Sequence, residues 1–284
     1  MTIALLLALD ETARDVDELL AFHRAAGVDV VVAAGTSDAL ASYEDEGFLR
    51  RAGADASPTD LARFAVDELG ADWLIPGSPD ELWWPRGESL KDVLAVIPPR
   101  YGVVQALVRT FVGDSSARHD DRSAFESRTI RTSLLGPDGS GGGSVHDLLR
   151  PVYRAGPNMT LDAADWTLGG RRVPLRAWYP IEVFRYPVEG GVRERKQIDA
   201  ALADGSLVVD GRARDALAGD ISSFPVPSIV DDSSYAVECA AVGEVDLVRL
   251  DRQIRDLELR ISELEARFWP RVRRTLRRLA RRPS

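Results

Sequence analysis

The chain predicts an α/β fold, an open and mostly parallel sheet with helices on both faces, followed by a long C-terminal helix. Three observations carry this. Short apolar runs at 3–9, 28–33 and 73–75 have the length and composition of strands buried on both faces. The stretches between them have helical spacing and are closed by Gly27, Gly70 and Pro98-Pro99. The alternation of strand and helix makes parallel pairing through crossover helices the natural topology.

Taken in order, residues 3–9 form the first strand. They lack a basic flank and run at once into Asp10 and Glu11, so they read as core and not as a signal peptide. Residues 15–26 form an amphipathic helix with Val16, Leu19, Leu20 and Phe22 on its apolar side. A second strand covers 28–33, and a second helix is expected over 37–46. Ser57-Pro58-Thr59-Asp60 has the chemistry of a helix start, with a capping serine and a proline in the first turn. That helix runs to about Leu69, and the strand around Trp73 follows. A helix at 89–97 and a strand at 102–112 complete the part that reads clearly. Residues 136–144 (GPDGSGGGS) are a flexible loop, either an insert or a lid over a site; no Gly-Lys-Ser/Thr follows to make it a phosphate loop. Residues 151–190 mix short strands with aromatics, and 204–235 give no regular pattern.

The chain divides into an α/β domain at 1–243, a coiled-coil helix at 244–269 and an arginine-rich amphipathic tail at 270–284. Leu247, Leu250, Ile254, Leu257, Ile261, Leu264 and Phe268 alternate three and four residues apart, the seam of a coiled coil. Seven arginines and no acid lie within 271–282. The net charge is −9. The remaining 29 basic residues face 45 acidic ones, so an acidic body carries a basic tail. The acidic body and the lack of a nucleic-acid motif argue against nucleic acid as a partner. Lys91 and Lys196 are the only lysines, so arginine by itself is a weak signal here. Cys239 stands alone, which forbids an internal disulfide and suits the cytoplasm.

Ligands of open α/β sheets bind beyond the carboxyl ends of the strands. Two acidic pairs fall there: Asp10-Glu11 after the first strand and Asp80-Glu81 after the strand around Trp73. Two acids in a loop are ordinarily a solvated turn, and the strand-end position is what sets these apart. His23, on the first helix beside Phe22, reads as a structural histidine. Trp83 and Trp84 read as packing residues, with a sugar platform as the alternative.

The stretches Leu9-Asp10-Glu11, Leu20 to Asp29, Ser37-Asp38, Ala62-Arg63, Gly70-Ala71-Asp72-Trp73 and Asp80-Glu81-Leu82-Trp83-Trp84-Pro85 resemble a bacterial group of glycosyltransferases related to families 2 and 92. A weaker echo continues at Tyr153-Arg154-Ala155 and Trp178 to Val183. The resemblance spans about 3–196 and implies a type-A nucleotide-sugar transferase fold. It implies transfer of a sugar from a nucleotide-sugar donor to a glycan or lipid-linked acceptor of the envelope or a polysaccharide. It implies donor binding by Asp10, Glu11, Asp38, Arg63, Asp80, Glu81 and Arg154, and Glu182 as the catalytic base. It also implies a divalent cation, manganese or magnesium, held by Asp80. The chain departs from the pattern where the first motif aspartate is Ser78, and where histidines are replaced by Trp166 and Arg185. These departures leave a second reading open: an inactive transferase fold that assembles partners through its coiled coil.

The seam at 247–268 is expected to self-associate, and the tail at 271–282 to lie on the inner face of an anionic membrane as a peripheral contact. Each tail arginine adds roughly 1 kcal/mol there, an attraction that salt screens. Sedimentation of the full chain should therefore show an oligomer that a form ending at Gly243 does not. Identical monomeric behaviour of the two would refute the pairing. Flotation with liposomes should require acidic lipid and residues 271–282.

Overall fold

A computed structural model of the chain describes residues 1–9, 15–35, 40–87, 89–99, 101–114, 123–134, 148–156, 171–172, 179–187, 192–218 and 240. The expected coiled coil, the arginine tail and the loop at 136–144 lie outside these residues. No helix among the described residues is long and apolar enough to cross a membrane.

The sheet begins with four parallel strands in the order β3-β2-β1-β4: β1 (Ile3–Ala8), β2 (Val30–Ala34), β3 (Leu49–Gly53) and β4 (Trp73–Gly77). Leu7 of β1 stands opposite Ala33 on one side and Gly77 on the other, so these strands end at one edge. β8 (Leu149–Arg154) then runs antiparallel between β4 and the long β6 (Tyr101–Asp114). Beyond β6 lie β10 (Ile181–Arg185), parallel to it, and β5 (Glu81–Pro85), antiparallel to β10. The far part of β6 carries β7 (Ile130–Thr132), which pairs with β12 (Leu207–Val209). Two-residue strands β9 (Arg171–Arg172) and β11 (Val192–Arg193) also pair with β6. The fold is mixed α/β with a mostly parallel central sheet.

Alternation along β1 shows why helices must cover both faces. Ile3, Leu5 and Leu7 enter one core with Val16, Leu19, Leu20 and Phe22 of α1 (Val16–Ala25) and Leu90, Val93 and Leu94 of α4 (Leu90–Ala95). Ala4 and Leu6 enter the other core, under Leu61, Ala62 and Ala65 of α3 (Pro58–Asp67). Each buried leucine contributes on the order of 2 kcal/mol, so neither face is stable bare. As the sequence implies, Ser57 caps α3 in a reciprocal pair with Asp60.

Three expectations need correction. The helix expected at 37–46 is the shorter α2 (Ala41–Asp45), with 36–39 outside the described residues. Glu81 is not in a loop after a strand; it opens β5. The patternless stretch after 204 contains β12 and α7 (Arg212–Ala218), with α6 (Arg195–Ala203) ahead of them and α5 (Ala124–Ser127) packed near α7. Elements this short carry too few residues for periodicity to appear.

His23 is the structural residue expected. Its ring is fully buried; Nδ1 donates to the Leu19 carbonyl at 2.8 Å, and Nε2 accepts the Trp83 N–H at 3.3 Å. This joins α1 to β5. Burial lowers its pKa from 6.5 to about 4, against the bond to Leu19. The unfolded chain then binds the proton more readily. Stability is full above about 6.5 and is lost as pH falls towards 4, by about 3 kcal/mol in all. Denaturant midpoints should fall over this window, and His23→Gln should flatten that part of the profile. An unchanged profile would remove His23 from the acid response.

Candidate functional site at the carboxyl edge

Packing determines the edge where β1, β2 and β4 end. Gly35 has φ +119, and a Cβ there would lie 2.1 Å from the Leu9 carbonyl oxygen. At Gly77 a Cβ would meet Leu5 Cδ1 at 2.7 Å. Both glycines let strands close up where the chain leaves the sheet.

After Gly77 the chain turns through Ser78–Asp80, closed by the Glu81 N–H donating to the Ser78 carbonyl at 3.0 Å. The Tyr186 N–H donates to the Asp80 carbonyl at 2.8 Å, which ties the turn to the end of β10. Arg185 stands opposite Glu81 in the ladder. Its Nε lies 3.7 Å from Asp80 Oδ2, and Arg150 Nε, from the start of β8, lies 3.5 Å from Glu81 Oε1. Arg128, after α5, donates to the Pro187 carbonyl at 2.8 Å and is within electrostatic reach of Asp80. Glu81 is 4% exposed. Burial pushes its carboxyl up to about 7; Asp80 adds to this, while Arg150 and Arg185 oppose it. A carboxyl titrating near neutrality can take up and return a proton.

Glu182, expected as the base, sits in a different setting. It is fully buried, with Arg109 at 2.6 Å, Arg212 at 2.6 Å and Arg86 at 3.2 Å. Burial alone would raise its pKa, but the three guanidinium groups win and hold it at about 2. A carboxylate so stabilised is a poor proton acceptor. Arg212 continues to Asp210 at 2.8 Å, and Asp210 to Arg131 at 2.8 Å, so the hub is a buried ion network. Arg212 also lies over the Phe184 ring at 4.8 Å.

Of two further expected donor residues, one lies away from this edge. Arg154 is opposite Trp73, at the amino edge of the sheet; it lies over that ring at 4.3 Å and donates to the carbonyls of Ile97 and Tyr101. That position is the wrong end of the strands for a donor pocket. Arg63 is exposed on α3, whose buried side is Leu61, Ala62 and Ala65. Asp10, Glu11 and Asp38 lie outside the described residues. Trp83 and Trp84 are buried, with Trp84 stacked on Phe184 at 5.3 Å, as packing residues should be.

Sequence reasoning did not select Arg128 or Arg150, because in an arginine-rich chain neither has a distinguishing spacing. Arg109 did leave a signal: a charge inside the apolar run of β6 demands a buried partner.

The divalent cation implied by the resemblance needs several anionic oxygens turned towards one point. Here the two carboxylates of the motif face Arg185 and Arg150, Glu81 is biased towards its neutral form, and the third position is Ser78. Among the described residues no three His, Cys, Asp or Glu side chains converge. The described residues at this turn do not by themselves fit a resident divalent cation.

No family model matches the chain, and no curated protein matches it. Among solved structures it is similar to CMP:2-keto-3-deoxy-manno-octonic acid synthetase complexed with CTP. The identity is 15%, the match covers 54% of this chain and 74% of that one, and the TM-score is 0.28. A likeness at that score carries no functional weight.

The hub is open to test. Glu182→Gln should cost about 3–5 kcal/mol in denaturant unfolding, because it leaves buried guanidinium groups without their counter-charge. An unchanged midpoint would show that Glu182 is not the structural hub and would return it to the list of candidate bases.

Proposed function

We propose that the chain is a nucleotide-sugar-dependent transferase of the type-A glycosyltransferase class. It moves a sugar from a nucleotide donor to a glycan or lipid-linked acceptor. The observation that supports this most is the Asp80–Glu81 turn at the carboxyl edge of a mostly parallel sheet, the place where such sheets take their ligands. The resemblance of the segment from Gly70 to Pro85 adds the chemical class. In the net reaction the bond from the anomeric carbon to the phosphate oxygen breaks, and its electron pair leaves on the nucleoside diphosphate. The acceptor hydroxyl oxygen bonds the anomeric carbon and gives up its proton. Glu81 takes the role of base, in place of Glu182.

The second reading, an inactive scaffold that works through its coiled coil, draws support from the pairing of both motif carboxylates with arginines. One comparison separates the two. Nucleoside diphosphates should raise the melting temperature of the full chain. Glu81→Gln should keep that shift while lowering sugar transfer about 10²–10⁴-fold. If no nucleoside diphosphate shifts melting under any metal condition, the scaffold reading stands instead.

A further inference from the structure

We infer that Asp204-Gly205, at the exposed end of α6, is a self-modification site: its aspartyl peptide rearranges to isoaspartyl in the folded protein, while the buried Asp210-Gly211 is protected. The inference is independent of the proposed sugar transfer.

An aspartate followed by glycine carries its own electrophile and nucleophile. The Gly205 peptide nitrogen attacks Asp204 Cγ and loses its proton. The carboxyl hydroxyl leaves with that proton as water, and a succinimide ring closes. Water then adds to one of the two ring carbonyls. Addition at the main-chain carbonyl breaks its bond to the Gly205 nitrogen, and the chain thereafter runs through Cγ. Water is lost and then regained, so the net change is an isomerisation that needs no oxidant or cofactor. Glycine favours it because no side chain shields the attacking nitrogen.

The chain has three Asp-Gly pairs, at 138–139, 204–205 and 210–211. The first lies outside the described residues, and the other two stand in opposite settings. Asp204 closes α6, and both it and Gly205 are exposed. Asp204 Oδ1 accepts the Ser206 N–H at 2.8 Å, an Asx-type turn that folds the side chain back over the Gly205 peptide. The Gly205 N–H faces the Leu202 carbonyl at 3.4 Å, at the limit of a hydrogen bond. A Cβ built at Gly205 would meet nothing within 4 Å, so the ring has room to close.

Asp210 has none of this freedom. Its side chain is 7% exposed. Oδ2 accepts from Arg131 Nε and from Arg212 Nη2, each at 2.8 Å, and Oδ1 accepts from Arg212 Nε at 3.0 Å. A Cβ at Gly211 would lie 3.0 Å from Arg214 Nη2. Turning Cγ onto the Gly211 nitrogen breaks a buried ion network, whereas at Asp204 the motion disturbs an exposed hydrogen bond. The position also gives the reaction an effect. The Ser206 carbonyl accepts the Ser133 N–H at 2.9 Å where β12 joins β7, and β12 leads directly into Asp210. An extra main-chain carbon at 204 falls just before that pairing and loosens the strand that leads to the hub.

The test is to age the full-length protein at physiological temperature and neutral pH in water enriched in heavy oxygen, with a parallel sample in denaturant. Isoaspartate is then located by tandem mass spectrometry of the digest. In the folded chain it should appear at 204, carrying heavy oxygen, at least about tenfold ahead of 210, because reaction at 210 waits on local opening. In denaturant the two positions should react at comparable rates. Asp204→Glu should abolish the product at 204, since glutamate would have to close a larger ring; its melting temperature checks that it folds. A smaller native ratio, or no product at 204 over the time in which the denatured chain forms it, overturns the assignment. A ratio that persists in denaturant overturns it as well, because the preference then lies in the local sequence and not in the fold.

Discussion

The carboxylate of Glu182 is buried completely, and a carboxylate out of water must find positive charge. It finds Arg86 just past β5, Arg109 within β6 and Arg212 at the start of α7. Those partners lie on segments distant in the chain, so one buried charge ties the outer strands of the sheet to the C-terminal part of the described fold. Arg212 extends the tie through Asp210 to Arg131 on β7. Such networks contribute less to net stability than their short distances suggest, since desolvation consumes most of the attraction. They are decisive in another sense: any arrangement of these strands that leaves one charge unpaired is strongly disfavoured.

The same strands bring the candidate site together. β10 carries Glu182 into the hub and Arg185 to the edge, three residues apart along one strand. The hub's geometry therefore sets where Arg185 meets the Asp80–Glu81 turn. The two clusters do opposite things with carboxyl groups. At Glu182 three guanidinium groups overcome burial and hold the group ionised. At Glu81 burial outweighs Arg150 and Arg185, and the group titrates near neutrality. The first suits architecture and the second suits proton transfer, although both acids belong to paired β-strands.

Much of the first hundred residues was legible beforehand. β1, β2, α1, α3 and α4 follow from apolar period and from the capping chemistry of Ser57, which are local properties. The Asp80–Glu81 pair was legible as a strand-end feature. Arg154 was expected at the site and lies at the amino edge of the sheet. A residue's place in a linear motif does not say which end of an antiparallel strand it occupies or which side of a helix it lies on. Glu182 was read as a base for a related reason: an acid in an apolar strand looks the same whether arginines or a substrate meet it.

By itself the sequence determined the alternation of strand and helix, the burial of both sheet faces and the acidic pair after β4. These depend on contacts within one turn or one strand and on hydrophobic period. Only the tertiary structure decided that β8 inserts antiparallel between β4 and β6, that β5 pairs with β10, and that Arg185 and Arg150 face the acids while Arg86, Arg109 and Arg212 surround Glu182. Those facts depend on pairing between segments far apart in the chain, where arginine looks the same at every position until its distant partner is known.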